Sequence, residues 1–203
     1  MKNKKLIMVF VRNPELGKVK TRLAASVGEE KALQIYLYLL EHTQTVTQHV
    51  EADKVVYYAE RVEEHDLWPY AYHHKKLQPS GDLGEKMLAA FEAAFAEAYE
   101  SVVIIGSDCQ QLKQEIIEQA FDELQTHDVV IGPAVDGGYY LLGMNRLYPD
   151  FFQNKHWSTD QVFTATIEDI ERLEITYSLL PTLKDVDYLE DLEKPEQWLN
   201  MSG

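Results

Sequence analysis

Val102-Val103-Ile104-Ile105-Gly106-Ser107-Asp108-Cys109 is the stretch that decides the fold. Four β-branched apolar residues in a row leave no polar face, the pattern of a strand covered on both sides in a parallel sheet. The run ends in a small residue, and a carboxylate follows. In open α/β sheets, ligands bind just beyond the carboxyl ends of strands. Gly106 lets a backbone approach a ligand closely. Asp108 suits Mg²⁺ or Mn²⁺, hard ions that take carboxylate and phosphate oxygens together. The competing reading is that Ser107 or Asp108 only caps the next helix.

Working outward, residues 6–11 and 129–131 repeat the pattern, 55–59 form a fourth strand and 70–77 a weaker one. Apolar stripes of helical period lie between them: Ala32, Tyr36 and Leu40, with Leu33 and Leu37 beside them; Leu83, Met87, Phe91, Phe95 and Tyr99; Ile116, Ala120 and Leu124. Strand and helix thus alternate to residue 132, which predicts βαβ units and a mixed, mostly parallel sheet in an α/β fold. Asp136-Gly137-Gly138 then reads as a turn before a strand at 139–142. A helix over about 160–173, a strand over 175–179 and an acidic C-terminal helix follow. With no repeat and no Gly/Ser/Pro-rich linker, one domain over residues 1–203 is expected.

The chain has 203 residues, of which 19 are basic and 34 acidic, a formal net charge of -15. That field repels nucleic-acid backbones and anionic membranes. It also repels phosphorylated substrates unless a basic loop or a bound cation reverses it locally. The single cysteine, Cys109, excludes a disulfide within the chain and fits a reducing compartment. Basic residues followed by 6–11 imitate a signal peptide, but the apolar run is too short. A cytoplasmic protein without a membrane span is expected.

One loop carries the needed basic charge. Pro14-Glu15-Leu16-Gly17-Lys18-Val19-Lys20-Thr21-Arg22 follows the first strand, where backbone N–H groups and a helix start favour phosphates. It lacks P-loop spacing. Asp185 and Asp187 stand two apart, so an extended segment puts both carboxylates on one face, where either completes a metal site with Asp108. Asp187 with Glu190 also reads as a capping box, as do Asp82 with Glu85 and Ser158 with Gln161. Gln78 and Lys86 flank a helix start from which they reach a ligand. Trp157 either stacks on a sugar or base, or packs half-buried. The histidines form no metal pattern, and no Gly-x-Ser-x-Gly elbow is present.

Six motifs occur in order: Pro14-x-x-Gly17-x-x-Lys20-Thr21-Arg22-Leu23, Gly81-Asp82-Leu83-Gly84-Glu85-Lys86-Met87, Gly106-Ser107-Asp108-Cys109, Gly132-Pro133-Ala134-x-Asp136-Gly137-Gly138-Tyr139-Tyr140, Trp157-Ser158-Thr159 and Asp185-Val186-Asp187. Together they resemble the bacterial DUF2064 family, described as glycosyltransferases or as transferases tied to radical-SAM and selenium-related genes. The resemblance implies a three-layer Rossmann-like GT-A fold of the nucleotide-diphospho-sugar transferase type, with helices on both faces of the sheet. It implies nucleotide binding by Arg12, Gly17, Lys20, Arg22, Gln78, Lys86 and Ser107. It also implies Mg²⁺ or Mn²⁺ on Asp108 with Asp185 or Asp187. Asp136, Gly137, Gly138, Tyr139, Trp157 and Thr159 would then face sugar and acceptor. Two positions make three departures from the usual pattern. Gln110 replaces the proline after Ser-Asp-Cys, Lys86 replaces an arginine, and Gln110 also stands where an Asp-x-Asp motif has its second carboxylate.

The expected chemistry is metal-dependent transfer of a glycosyl group from a nucleotide sugar to a small acceptor. Lys20 and Arg22 would stabilise the leaving diphosphate and Asp136 would act as base. Nucleotidyl transfer from a nucleoside triphosphate to a phosphorylated molecule is the alternative, and a non-catalytic nucleotide-sugar binder the third.

Overall fold

A computed structural model describes residues 4–70 and 73–200. The strands are β1 (Lys5–Val11), β2 (Asp53–Tyr58), β3 (His74–Leu77), β4 (Ser101–Ile105), β5 (Val129–Pro133), β6 (Tyr139–Met144) and β7 (Tyr177–Leu179). They form one sheet in the order β3-β2-β1-β4-β6-β5-β7. The helices are α1 (Thr21–Val27), α2 (Glu29–Gln48), α3 (Leu83–Ala96), α4 (Gln114–Glu123), α5 (Val162–Arg172) and α6 (Pro195–Asn200). This is the expected mixed, mostly parallel α/β sheet.

Side chains of β1 alternate between two cores. Ile7, Val9 and Val11 meet Tyr36 and Leu40 of α2 and Phe121 of α4, whereas Leu6 and Met8 meet Met87 and Phe91 of α3 and Ile170 of α5. Helices therefore cover both faces, which is why these strands carry no polar stripe. A third cluster joins Leu23 of α1 and Ile35 of α2 to Val186 and Leu192, and so fastens the C-terminal segment beside the β1 loop. Asp82 and Glu85 form the expected capping box at α3, with bonds of 2.9 Å and 2.8 Å. No described helix is long and apolar enough to cross a membrane.

Several boundaries differ from expectation. β6 runs antiparallel and inserts between β4 and β5, because the turn after β5 sends the chain back as a hairpin arm. Tyr99 lies beyond the end of α3 yet remains buried, and Leu83 is exposed at the start of that helix instead of in its apolar stripe. Of the strand expected over 70–77 only His74–Leu77 forms; residues 71–72 lie outside the described ones. From β1 the chain passes to β2 and β3, then returns to β4 on the other side of β1. The crevice between the β1 and β4 loops is thus a topological switch point.

Candidate functional site

A cleft of about 620 Å³ opens at that switch point. The β1 loop contributes Arg12 and Lys20, and the start of α1 Arg22; the β4 loop Asp108; the β5–β6 turn Asp136 and Gly138; and the C-terminal segment Asp185 and Asp187. Tyr139, Leu83 and the 157–160 segment close the remaining side.

Lys20 sits in the left-handed region (φ 48°, ψ 47°) just before α1, a conformation that costs a non-glycine residue about 1–2 kcal/mol. Its side chain is only 5% exposed, and the ammonium lies 2.8 Å from Asp108 Oδ2 and 3.6 Å from Asp187 Oδ1. Arg22 reaches Asp187 Oδ2 at 2.7 Å. What brings these loops together is backbone pairing: Val186 N–H donates to the Asp108 carbonyl at 2.9 Å. Val186 is buried, so its neighbours Asp185 and Asp187 both turn to the cleft, as an extended segment requires. The expected box between Asp187 and Glu190 does not form. Asp191 accepts from the Asp187 and Tyr188 N–H groups instead (2.9 Å and 2.6 Å), which leaves the Asp187 carboxylate to the cleft.

The local charge differs from the sequence expectation. Lys20 and Arg22 are neutralised by carboxylates, and Lys18 pairs with Glu15 and Glu60 away from the cleft. Asp108, Asp136, Asp160, Asp185 and Asp187 outnumber Arg12, Lys20 and Arg22 along the lining. Burial, with the charges of Asp108 and Asp136, pushes Asp185 up to about 7. Among the described residues, no three His, Cys, Asp or Glu side chains group closely enough to hold a metal by themselves. A pair nonetheless fits Mg²⁺ or Mn²⁺, since such ions keep waters and substrate phosphates beside one or two carboxylates. Asp108 and Asp187 already converge on one cationic atom, Lys20 Nζ.

Other sequence candidates lie apart from the cleft lining. The Gln78 amide donates to the Val11 and Tyr57 carbonyls (3.1 Å and 3.2 Å), tying β1 to β2. Ser107 is buried 3.3 Å from the Tyr36 hydroxyl, which also holds the Arg12 backbone. Gly17 turns next to Glu29, and Lys86 lies on α3 without reaching the lining. Gln110 bonds Tyr38 and the Glu193 N–H, so the missing second carboxylate of Asp-x-Asp sits away from the cleft. Cys109 is buried, and burial pushes its thiol up to about 12, which makes it inert.

The 157–160 segment is seated on glycines. A Cβ on Gly84 would lie 2.7 Å from the Phe152 carbonyl and strike the Trp157 indole. Trp157 is therefore the half-buried packing residue, with only part of its surface on the cleft. At Gly137 (φ +87°) a Cβ would come within 2.6 Å of the Asp160 carbonyl carbon, and the Gly137 carbonyl accepts from Phe163 N–H at 2.9 Å. The Asp136 carboxylate accepts from Gly138 N–H at 3.0 Å. The expected Ser158 cap is absent: α5 starts at Val162, and Thr159 Oγ1, itself on the cleft, accepts from Gln161 N–H instead (3.4 Å). Gly137→Ala is expected to cost about 1–3 kcal/mol in urea denaturation, because it combines a left-handed residue with a backbone collision.

Tyr139 presents its ring to the cleft while its hydroxyl is enclosed without a hydrogen-bond partner. An enclosed, unmet hydroxyl costs about 1–3 kcal/mol. Tyr139→Phe is therefore expected to hold or raise the unfolding free energy from urea denaturation, by up to about 3 kcal/mol; a marked loss would reveal a bond to that oxygen.

Residues 42–159 match a family described as "Uncharacterized protein conserved in bacteria (DUF2064)". The chain belongs to DUF2064. This DUF2064 chain is also similar to a Desulfovibrio desulfuricans G20 protein provisionally named a nucleotide-diphospho-sugar transferase. The two are 35% identical with a TM-score of 0.86, over 98% of this chain and 89% of that one. More distant likenesses show the fold alone. One is a 4-diphosphocytidyl-2C-methyl-D-erythritol synthase from Anaerococcus prevotii DSM 20548 (11% identity, TM-score 0.59, 98% and 97% covered). Another is a CMP:2-keto-3-deoxy-manno-octonic acid synthetase solved with CTP (10%, 0.53, 97% and 98%). No curated protein matches the chain.

Proposed function

We propose that this DUF2064 chain is a divalent-metal-dependent glycosyltransferase that moves a sugar from a nucleotide-diphosphate sugar to a small acceptor. The observation that carries the reading is the meeting of Lys20 and Arg22 with Asp108 and Asp187, at 2.7–3.6 Å, across the switch point. The name of its 35%-identical relative agrees.

Asp108 and Asp187 would hold Mg²⁺ or Mn²⁺, which when bound supplies positive charge to the leaving diphosphate. Lys20, fixed on its inward turn, and the more exposed Arg22 hold phosphate oxygens by point charge and fork. Asp136, oriented by Gly138 N–H, accepts the proton of the acceptor hydroxyl as that oxygen bonds to the anomeric carbon. The bond from that carbon to the phosphate oxygen breaks, and nucleoside diphosphate leaves. Trp157 and Tyr139 wall the side of the cleft where sugar and acceptor would meet. The test is nucleoside diphosphate release from a panel of nucleotide sugars with Mn²⁺ and a hydroxyl acceptor.

A second reading, nucleotidyl transfer, is supported by the same feature: Lys20 at the end of the β1 loop and Arg22 at the start of α1 lie beside the carboxylate pair, an arrangement equally suited to an α-phosphate. Pyrophosphate release from a nucleoside triphosphate with a phosphorylated acceptor would establish it over glycosyl transfer.

A further inference from the structure

We infer that the acceptor is uncharged: a hydroxyl carried on an apolar or aromatic frame, without phosphate or carboxylate. This rests on the glycosyltransfer reading of the same cleft, and it concerns the side of the cleft away from the Lys20 loop.

The lining divides by chemistry. All three of its basic residues, Arg12, Lys20 and Arg22, come from the β1 loop and the α1 start, and the latter two are held by Asp108 and Asp187. The other side is built from Leu83, the Tyr139 ring, Trp157 and Val162. Its charged groups are Asp136 and Asp160, brought close by the seat of the Asp160 backbone on Gly137. The nearby cation of the same segment, Lys155, is withdrawn: its side chain is 3% exposed and committed to Asp169 and the Ala165 carbonyl. An anionic acceptor would lose its hydration there against two carboxylates, and the lining offers it no basic residue outside the β1 loop and the α1 start. An apolar or aromatic frame instead finds exposed Leu83 (43% exposed) and two aromatic rings.

The test titrates phenyl β-glucoside and its 6-phosphate into the Mn²⁺-loaded protein. Binding of uridine and guanosine diphosphate sugars is measured separately. The neutral probe is expected to bind at least tenfold more tightly than the phosphate. Asp160→Lys is expected to narrow that ratio below threefold, and Asp136→Asn to move it the same way should the first variant fail to fold. Equal or tighter binding of the phosphate by the unaltered protein overturns the inference, as does binding of neither probe or an unchanged ratio in the variants. Failure to bind any nucleotide sugar counts against the glycosyltransfer reading instead, while the probe titrations still decide the chemistry of the acceptor side.

Discussion

Asp108→Asn is expected to lower kcat/KM for nucleoside diphosphate release by about 100-fold or more, with metal-dependent nucleotide binding lost alongside. The substitution keeps shape and backbone, so the Val186 N–H bond to the residue 108 carbonyl persists. What disappears is one of the two carboxylates that converge on a single cationic point. Lys20, whose side chain is 5% exposed, is left with Asp187 at 3.6 Å. Taking a partner from the nearly buried Lys20 ammonium is destabilising by itself, although Asp108 is 43% exposed, so a thermal melt must accompany the kinetics. Near-normal turnover in a folded Asp108→Asn variant would remove Asp108 from the chemistry.

Asp185→Asn should act in the opposite sense on stability. Burial, then Asp108 and Asp136, raise the Asp185 carboxyl from its ordinary 3.8 to about 7. Between those values the native state binds a proton that the unfolded state has released, so stability falls as pH rises through that window. The penalty is absent below about pH 4 and complete above about pH 7. At about 1.4 kcal/mol for each pH unit, ionised Asp185 costs the fold on the order of 2–4 kcal/mol at pH 8. The Asp185→Asn variant removes that cost, so its advantage in chelator-treated protein should be near zero at pH 4 and largest at pH 8. Urea denaturation at several pH values measures it, and a pH-independent difference would show that Asp185 does not titrate in this range.

Much of the cleft was legible because its residues follow strands whose own signal is strong. Continuous Val and Ile runs gave β1, β4 and β5 nearly to the residue, and so located the loops carrying Lys20, Arg22 and Asp108. The alternation Asp185-Val186-Asp187 revealed a shared carboxylate face because an extended backbone has period two. Local alternatives were less readable. Sequence spacing offered capping partners for both Asp82 and Asp187, but only packing selects whether Glu85, Glu190 or Asp191 folds back. Gln78 and Lys86 had the right chemistry and neighbourhood, yet sheet register commits one to backbone carbonyls and α3 carries the other off the lining.

The sequence by itself determined that strands and helices alternate, and that acidic and basic groups gather at strand ends, since both follow from local hydrophobicity and chain direction. Only tertiary structure decided that β6 enters antiparallel between β4 and β5, that Lys20 turns inward onto Asp108, and that Asp136 and Asp160 crowd one side of the cleft. Those outcomes depend on which distant segments share a surface. A local sequence specifies each segment's form but not its neighbour, and charge becomes site chemistry only once the neighbours are fixed.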